Sequence, residues 1–543
     1  MRTLRCSAAF AAGLALSLVA AAGCDDGLGF DAEDPEDSVF VDDGKADDFF
    51  SLSAQEYLLE GKSTVALEAG MASRPAAERL AAATKLVGFK QIAIAWFVTQ
   101  YLVDKEHDDP NASFGGFGGM AKAGAYEDLA IVERADKITY DFTFRQIAAG
   151  GRNLISKLPT RAGVSNKIVF DLEIGKPSNT AMAQLETNGE WYRDAPWTAW
   201  NPAAVPADQK EKITFSIARE RASTDGFFDL ARLTADGKLD MDVYFGWDYH
   251  SEYHLKHSKQ FFTWLKEQGF RTPVASWDKL THTSGAFTRT VKADGKSVAV
   301  EIRVFFGKPG TPTDPDTDAG GRVLEGLAMG SLATRDVIIY SGHSGPFYGF
   351  ALANWKKTDE GDLDDADIRV APMPADRYQV VLAEGCDTYQ IGMAFKDNPS
   401  KAGKNVDVIT TTSFSDASSP IAVENMVSAL LARDSLQRLR PQPVSTLLTK
   451  LDSASWSFTS MYGMHGIDDN PTAVPWARTA NFGKTCSANA DCGGPGNLCV
   501  SSGTAGKKCT AACVADAGCG TGYTCKLVAS SSSSTIYGRA CKR

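Results

Sequence analysis

The stretch DVIIYSGHSG, residues 336–345, and the stretch YQVVLAEGCD, residues 378–387, decide how the rest of the chain is interpreted. Each opens with a short run of mostly apolar residues and then changes at once to glycine and polar residues. A continuous apolar run of this length, closed by glycine, is typical of a strand that is buried on both faces of a parallel sheet. We therefore predict two parallel strands whose carboxyl ends carry His343 and Cys386.

The segments around these two stretches alternate between apolar strands and helices, which is typical of a parallel sheet covered by helices on both faces. We therefore predict an α/β domain with a mostly parallel sheet over residues 237–480. Its other predicted strands are LDMDVYFGWDY (239–249), SVAVEIRVFF (297–306) and VDVITTTSF (406–414), and its predicted helices are LKHSKQFFTWLKEQGF (255–270), RVLEGLAMGSL (322–332), TYQIGMAF (388–395) and AVENMVSALLARDSLQ (422–437).

The preceding segment, residues 50–236, predicts a β-rich α+β domain. Its first part, residues 50 to about 104, predicts helical structure, with an alanine- and leucine-rich stretch from Pro75 to Val103 that Asp109-Pro110 ends. Residues 135–235 instead alternate apolar and polar side chains with a period of two, as in KITYDFTF (137–144), and this period predicts strands.

Residues 1–23 have the features of an export signal, because Arg2 and Arg5 precede an apolar run that is too short to span a membrane. The Ala-Ala-Gly-Cys sequence at residues 21–24 resembles the end of a bacterial lipoprotein signal. The resemblance implies that Cys24 is lipidated and holds the protein to a membrane of the cell envelope, on the periplasmic side or at the cell surface. Ordinary signal cleavage, with Cys24 as a bystander, is the alternative.

Residues 24–49 predict a solvated tether, since residues 25–48 hold eleven Asp and Glu side chains and one Lys. Such a segment repels itself and has too little apolar surface to fold. The whole chain has a net charge of −11, from 56 Lys and Arg against 67 Asp and Glu, which argues against a nucleic acid partner. The sequence leaves the oligomeric state open.

Eight of the eleven cysteines lie in the last 63 residues. An even number of cysteines in a short exported segment with little aliphatic core predicts a disulfide-rich module, residues 481–543, whose connectivity the sequence leaves open. The eight are Cys486, Cys492, Cys499, Cys509, Cys513, Cys519, Cys525 and Cys541. Cys386 remains as a lone thiol of the central domain.

A thiol and an imidazole at the carboxyl ends of neighbouring parallel strands lie within reach of one another, because such strands are about 4.8 Å apart. Ligands of open parallel sheets bind at this edge. His343 can then take the thiol proton of Cys386, and a helix that begins just after Cys386 favours the thiolate. The pair therefore predicts nucleophilic catalysis by Cys386.

Residues 239–475 resemble the caspase-like cysteine peptidases, which include legumains, gingipains, separases and clostripain. In that family an apolar strand ends in His-Gly, and a later apolar strand ends in Ala-Cys. The resemblance implies that Cys386 is the nucleophile and His343 the general acid and base. It also implies an oxyanion hole made of the backbone N–H groups of Cys386 and of Ser344 or Gly345. The chain departs from the pattern at two positions: Ser344 follows His343, and Gly385 precedes Cys386.

The resemblance implies a peptide or protein substrate, held in a pocket beside the two catalytic residues, and no required cofactor. The loop after the strand 239–249 ends at the same sheet edge, so Asp248 and His250 are candidate pocket residues. The acidic insertion TDEGDLDDAD, residues 358–367, would favour a basic side chain next to the cleaved bond, or it is a solvated surface loop.

Two other functions are compatible with the sequence. Gly342-His343-Ser344 resembles part of a nucleophile elbow, in which Ser344 would attack an ester as in α/β-hydrolases. Alternatively, the caspase-like domain is inactive and the lipoprotein is an adhesin or binding scaffold. The reactivity of the Cys386 thiol distinguishes both alternatives from a cysteine peptidase.

Two metal sites are also conceivable. Asp314, Asp316, Asp318 and Glu325 match positions 1, 3, 5 and 12 of a calcium loop, although Ala319 stands where the loop needs glycine. His250, His254 and His257 have the spacing of one helical face and could bind zinc, or the face is simply solvated.

Overall fold

The part of the chain that the structure describes contains twenty-two strands and nine α-helices. The computed structural model describes residues 40–41, 49–102, 119–120, 130–152, 168–176, 201–248, 252–345, 349–412, 415–416, 418–454, 460–474, 476, 479–528 and 532–543. The strands are β1 (Phe40–Val41), β2 (Phe50–Ser51), β3 (Ala54–Ala66), β4 (Gly119–Met120), β5 (Ala130–Glu133), β6 (Thr139–Gly151), β7 (Ile168–Gly175), β8 (Lys210–Glu220), β9 (Lys238–Phe245), β10 (Phe287–Ala293), β11 (Lys296–Phe306), β12 (Val337–Ser341), β13 (Ser344–Gly345), β14 (Gly349–Ala351), β15 (Asp362–Leu363), β16 (Gln379–Glu384), β17 (Val406–Thr411), β18 (Tyr462–His465), β19 (Asn497–Ser501), β20 (Lys507–Ala511), β21 (Thr524–Leu527) and β22 (Arg539–Lys542). The helices are α1 (Ala76–Leu102), α2 (Leu230–Leu233), α3 (Tyr253–Glu267), α4 (Asp318–Thr334), α5 (Asp365–Val370), α6 (Tyr389–Lys396), α7 (Ile421–Leu430), α8 (Val444–Asp452) and α9 (Ser532–Tyr537).

The central sheet has eight strands in the order β10–β11–β9–β12–β16–β17–β18–β2. Its five middle strands, β11 to β17 in this order, are parallel. The outer strands β10, β18 and β2 are antiparallel to their neighbours. The predicted α/β fold is therefore confirmed, and the sheet is mixed, because antiparallel strands flank its parallel centre.

Helices cover both faces of the central sheet because its strands are apolar on both sides. Ile339 packs in one core with α3, α7 and α8. The next residue back, Ile338, packs in a second core with α4, α5 and α6. Successive side chains of a strand point to opposite faces, so one continuous apolar run serves both cores.

A second sheet of seven strands precedes the central one, in the order β1–β8–β3–β6–β4, with β5 added on β6 and β7 on β8. The long helix α1 contacts this sheet. Lys90 of α1 donates a hydrogen bond from Nζ to the Thr64 carbonyl of β3 at 2.6 Å and pairs with Glu211 of β8 at 2.7 Å. No helix among the described residues is both long enough and apolar enough to span a bilayer.

The prediction of helical structure from residue 50 is wrong for its first part, because residues 54–66 form the strand β3. This strand is paired on both sides, with β6 and with β8. Gly61 allows the two neighbours to pack across it, since a Cβ there would lie 2.6 Å from the Phe144 ring and 2.9 Å from Phe215. Its pairing partners lie in β6 and β8, far along the chain, and they decide this element, because no local pattern contains them.

The predicted boundary between tether and N-terminal domain does not coincide with a boundary between the sheets. β1, inside the predicted tether, pairs with β8 of the second sheet. β2 pairs with β18 of the central sheet, and β3 then returns to the second sheet. All described residues fall within one compact unit, residues 39–543.

The disulfide-rich module is confirmed, and its four disulfides join Cys486 to Cys499, Cys492 to Cys509, Cys513 to Cys525, and Cys519 to Cys541. The connectivity is the same in each half of the module, where the first cysteine joins the third and the second joins the fourth. Each half also contains one two-stranded hairpin, β19–β20 and then β21–β22. The module is thus a tandem pair of similar units.

Candidate active site

The two predicted catalytic residues follow neighbouring strands. β12 pairs with β16 in parallel, with Ser341 opposite Glu384, so His343 and Cys386 each lie two residues beyond a paired strand end. The pairing continues past the strands, since the Gly342 N–H donates to the Glu384 carbonyl at 3.2 Å. Both residues therefore belong to adjoining loops at one edge of the sheet. Cys386 is partly exposed and is outside the four disulfides.

Asp248 contacts the imidazole of His343. β9 borders β12 on the side away from β16, and Asp248 lies three residues after the end of β9. Its Oδ1 is 3.1 Å from Nε2 of His343, and the side chains are 6% and 17% exposed. The sequence assigned Asp248 to a substrate pocket, whereas its carboxylate is directed at the predicted catalytic histidine. His250, the other predicted pocket residue, lies outside the described residues.

His254 and the residue before it bind Asp248 and fix its position, a role that the sequence did not indicate. The Asp248 N–H donates to Nδ1 of His254 at 3.3 Å, and Oδ2 of Asp248 accepts from the Tyr253 N–H at 3.3 Å. Burial lowers the pKa of His254 to about 4, so its ring is neutral and Nδ1 can accept. Burial also lowers the pKa of His257. Both histidines are buried, and the solvated face expected for them is not observed.

Ser344 and Gly385, the two departures from the family pattern, are in contact. A Cβ at position 385 would lie 2.2 Å from Oγ of Ser344 and 2.8 Å from the Gly342 carbonyl oxygen. The Ser344 hydroxyl donates to the Cys386 carbonyl at 2.7 Å. Ser344 thus takes the space that an alanine methyl would need at position 385, and it ties the histidine loop to the cysteine loop.

The turn that contains Cys386 is held by two threonines. The Thr411 hydroxyl donates to the Gly385 carbonyl at 2.5 Å, and the Thr388 hydroxyl donates to the Ala383 carbonyl at 2.7 Å. Asp387 has a left-handed backbone with φ of 52°, a conformation that non-glycine residues adopt only in tight local structures. α6 then begins at Tyr389, so the amino end of a helix follows the thiol closely.

Tyr389 also links this helix to the second sheet. Its hydroxyl is hydrogen-bonded to Glu56 of β3, which is buried. Its ring packs against Phe49 at 5.5 Å and against His465 of β18 at 5.0 Å, measured between ring centroids. The seven-stranded sheet therefore supports the helix that follows Cys386.

Ser344 and Gly345 form β13, a two-residue strand paired with β14 beside the site. The Ser344 side chain is 3% exposed, and its hydroxyl is bonded to the Cys386 carbonyl. A nucleophile must reach its substrate, so this burial disfavours the alternative in which Ser344 attacks an ester. The use of the Ser344 or Gly345 N–H as an oxyanion donor stays a prediction.

The four acidic residues of the predicted calcium loop do not gather around one point. Asp314 accepts from the Gly310 N–H at 2.7 Å, Asp316 from the Lys357 ammonium at 2.6 Å, Asp318 from the Thr358 hydroxyl at 2.6 Å, and Glu325 from the Gly361 N–H at 3.4 Å. Among described residues, the groups of three possible metal ligands that lie close together consist of disulfide cysteines. Calcium stays a prediction, and these contacts do not favour it.

Glu384 is a buried carboxyl group two residues before Cys386, and the sequence analysis did not single it out. Desolvation raises the pKa of Glu384 to about 7, although hydrogen bonds from Ser341 and Ser415 oppose the shift. The group is therefore mostly neutral in the folded protein below pH 7. Its ionisation would place a negative charge close to the thiol loop.

We expect Glu384→Gln to stabilise the protein at pH 8 and to have little effect at pH 4.5. The folded pKa of about 7 exceeds the ordinary value of 4.5, so this carboxyl contributes stability below pH 4.5 that is lost as the pH rises through 7. The difference amounts to about 3 kcal/mol, and the neutral amide avoids the loss. Thermal unfolding midpoints of both proteins at the two pH values measure it. Glu78→Gln, at an exposed position, is the control, and an equal gap at both pH values would contradict the assignment.

No protein-family model, curated protein or solved structure matches the chain.

Proposed function

We propose that the chain is a cysteine endopeptidase of the caspase-like type, in which Cys386 is the nucleophile and His343 the general base and acid. One observation carries the proposal: His343 and Cys386 follow two directly paired parallel strands, and His343 is held by Asp248 from the next strand along. A nucleophile, a base and a third group that orients the base are the arrangement that thiol and hydroxyl catalysis requires.

In the proposed reaction, Asp248 holds Nε2 of His343, which leaves Nδ1 for the thiol. His343 takes the proton from Cys386, and the thiolate sulfur attacks the carbonyl carbon of the peptide bond. Backbone N–H groups of Cys386 and of Ser344 or Gly345 stabilise the oxyanion. His343 then gives its proton to the leaving amine. Water, activated by the same imidazole, hydrolyses the acyl-enzyme and restores the thiol.

The proposed reaction needs no metal or cofactor, because every catalytic group that it uses belongs to the chain. The substrate is a peptide segment that enters along the carboxyl edge of the central sheet. For the residue before the cleaved bond, the acidic insertion at residues 358–367 favours a basic side chain. Of its carboxyl groups, Asp362 has a pKa raised to about 7 by desolvation and by nearby carboxylates, and a cation beside it would reverse that shift.

We further propose that the enzyme is an exported lipoprotein of the cell envelope, attached through Cys24 and held off the membrane by the acidic segment. Four disulfides support an oxidising compartment, because they are rare in proteins of the reducing cytosol. A lone thiol is open to oxidation in such a compartment, so a functional role would account for the presence of Cys386.

The reactivity of the thiol tests the proposal before any substrate is known. We expect iodoacetamide to label the protein at Cys386, faster than a free thiol and already below pH 7, and we expect His343→Ala to abolish that advantage. A peptide library should then be cleaved, with a loss of at least about a thousandfold in Cys386→Ala. Labelling at the rate of an ordinary thiol, together with no cleavage, would support the inactive scaffold. Ester hydrolysis that survives Cys386→Ala but not Ser344→Ala would support the serine alternative.

A further inference from the structure

The disulfide-rich module has the opposite charge to the rest of the chain. Residues 481–543 contain five lysines and two arginines against two aspartates and no glutamate, a net side-chain charge of +5. The whole chain has a net charge of −11, so −16 falls on residues 1–480. A sign difference of this size between segments indicates a surface that meets an anionic partner.

Neither aspartate of the module neutralises these cations. Asp491 accepts from the N–H groups of Ser487 at 2.7 Å and Ala488 at 3.0 Å. Asp516 accepts from the Cys525 N–H at 2.6 Å. Both carboxylates therefore hold backbone turns. Two lysines of the module bond instead to neutral side chains, since Nζ of Lys484 donates to Oδ1 of Asn481 at 3.3 Å and Nζ of Lys508 donates to the Thr485 hydroxyl at 2.9 Å.

Arg543 lies over one of a pair of aromatic rings, and Lys484 and Lys508 lie in neighbouring backbone segments. The rings of Phe482 and Tyr523 are 5.1 Å apart between centroids, and the Arg543 guanidinium lies 5.1 Å from the Tyr523 centroid. Lys484 is in the same turn as Phe482, and its carbonyl accepts from the Cys509 N–H at 2.9 Å, beside Lys508. We name these five residues, Phe482, Lys484, Lys508, Tyr523 and Arg543, the basic aromatic surface.

The basic aromatic surface is accessible and rigid. Lys484 and Arg543 are exposed, and the other three residues are partly exposed. The backbone beneath them is fixed by the disulfides Cys492–Cys509 and Cys519–Cys541. A rigid scaffold loses little conformational entropy when it binds, so a few side chains suffice for a useful affinity.

We infer that the basic aromatic surface binds an anionic polysaccharide through its uronate or sulfate groups. The cations can pair with acidic groups spaced along a polymer. The aromatic rings can pack against the apolar faces of the sugar rings that lie between those groups. An anionic lipid membrane fits this surface less well, because insertion into a bilayer needs fully exposed apolar side chains, whereas Phe482 and Tyr523 are only partly exposed. The inference does not depend on peptidase activity.

Two triple variants of the full-length protein test the inference at equal net charge. The first, Lys484→Gln with Lys508→Gln and Arg543→Gln, removes the cations of the surface. The second, Lys507→Gln with Lys526→Gln and Arg539→Gln, removes three charges elsewhere in the module. Free thiols are titrated in each variant and in the unmodified protein. An equal number of free thiols confirms that the four disulfides of the module form.

Binding to polygalacturonate and to heparin is measured at about 0.05 M salt, where surface charges are weakly screened. We expect the first variant to bind at least tenfold more weakly than the unmodified protein, and the second to lose less than threefold. Tyr523→Ala should weaken polysaccharide binding with no change of charge. Equal losses in the two triple variants, or binding to anionic phospholipid vesicles with none to either polysaccharide, would overturn the inference.

Discussion

Replacement of Gly385 by alanine is expected to slow both the alkylation of Cys386 and peptide hydrolysis by about a hundredfold. The added methyl group would lie 2.2 Å from the Ser344 hydroxyl and 2.8 Å from the Gly342 carbonyl oxygen. One of these is backbone, so the loop that carries Cys386 must move. Overpacking of this kind costs about 1–3 kcal/mol in stability. A displacement of about 1 Å at a catalytic group can cost about a hundredfold in rate.

A second substitution separates this effect from general damage. Ser344→Gly removes the side chain that occupies the space, so Ser344→Gly with Gly385→Ala should be more stable and more reactive than Gly385→Ala alone. The recovery is partial, because the Gly342 contact remains. Gly330→Ala, in α4 where an added Cβ meets nothing within 4 Å, is the matched control and should leave activity unchanged and stability equal or slightly higher, because alanine favours a helix more than glycine does. If the double variant is no better than Gly385→Ala, the two residues are not coupled.

Asp248→Asn is expected to slow hydrolysis by up to about ten-thousandfold, the effect found when the orienting carboxylate of a catalytic histidine is replaced by its amide. The carboxylate is 3.1 Å from Nε2 of His343, and it stabilises the positive charge that the ring gains when it takes the thiol proton. The amide keeps the size of the side chain but not the charge. The pH at which alkylation of Cys386 reaches half its maximum should therefore rise, with kcat reduced more than KM is changed.

The control for this variant is Asp314→Asn, since Asp314 also accepts backbone N–H groups but is in a different loop. It should leave the pH profile of alkylation unchanged. A similar fall in the rate of hydrolysis in both variants would indicate lost stability. An unaltered pH profile of alkylation in Asp248→Asn would remove Asp248 from the proposed mechanism. Failure of alkylation in the unmodified protein would instead contradict the peptidase proposal itself.

The candidate site was predictable in part because each of its two central residues directly follows a local strand pattern. The apolar runs before His343 and Cys386 are continuous in the sequence, and parallel neighbours bring their ends to one edge. Asp248 was found at the correct edge but was given a different role, since a sequence does not show which way a side chain turns after its strand ends. His254 was considered only as a possible zinc ligand and Glu384 was not singled out, because the role of each arises from its burial in the folded protein.

The sequence by itself determined the α/β class, the strands that carry His343 and Cys386, and the cysteines that form the disulfide-rich module. Each of these follows from composition or periodicity within a short window, where local physics dominates. Only the tertiary structure decided the pairing of the cysteines, the strand β3 in a segment expected to be helical, and the contact between Ser344 and Gly385. These features depend on which distant segments become neighbours, and the free energy that selects them is released only when those segments pack together.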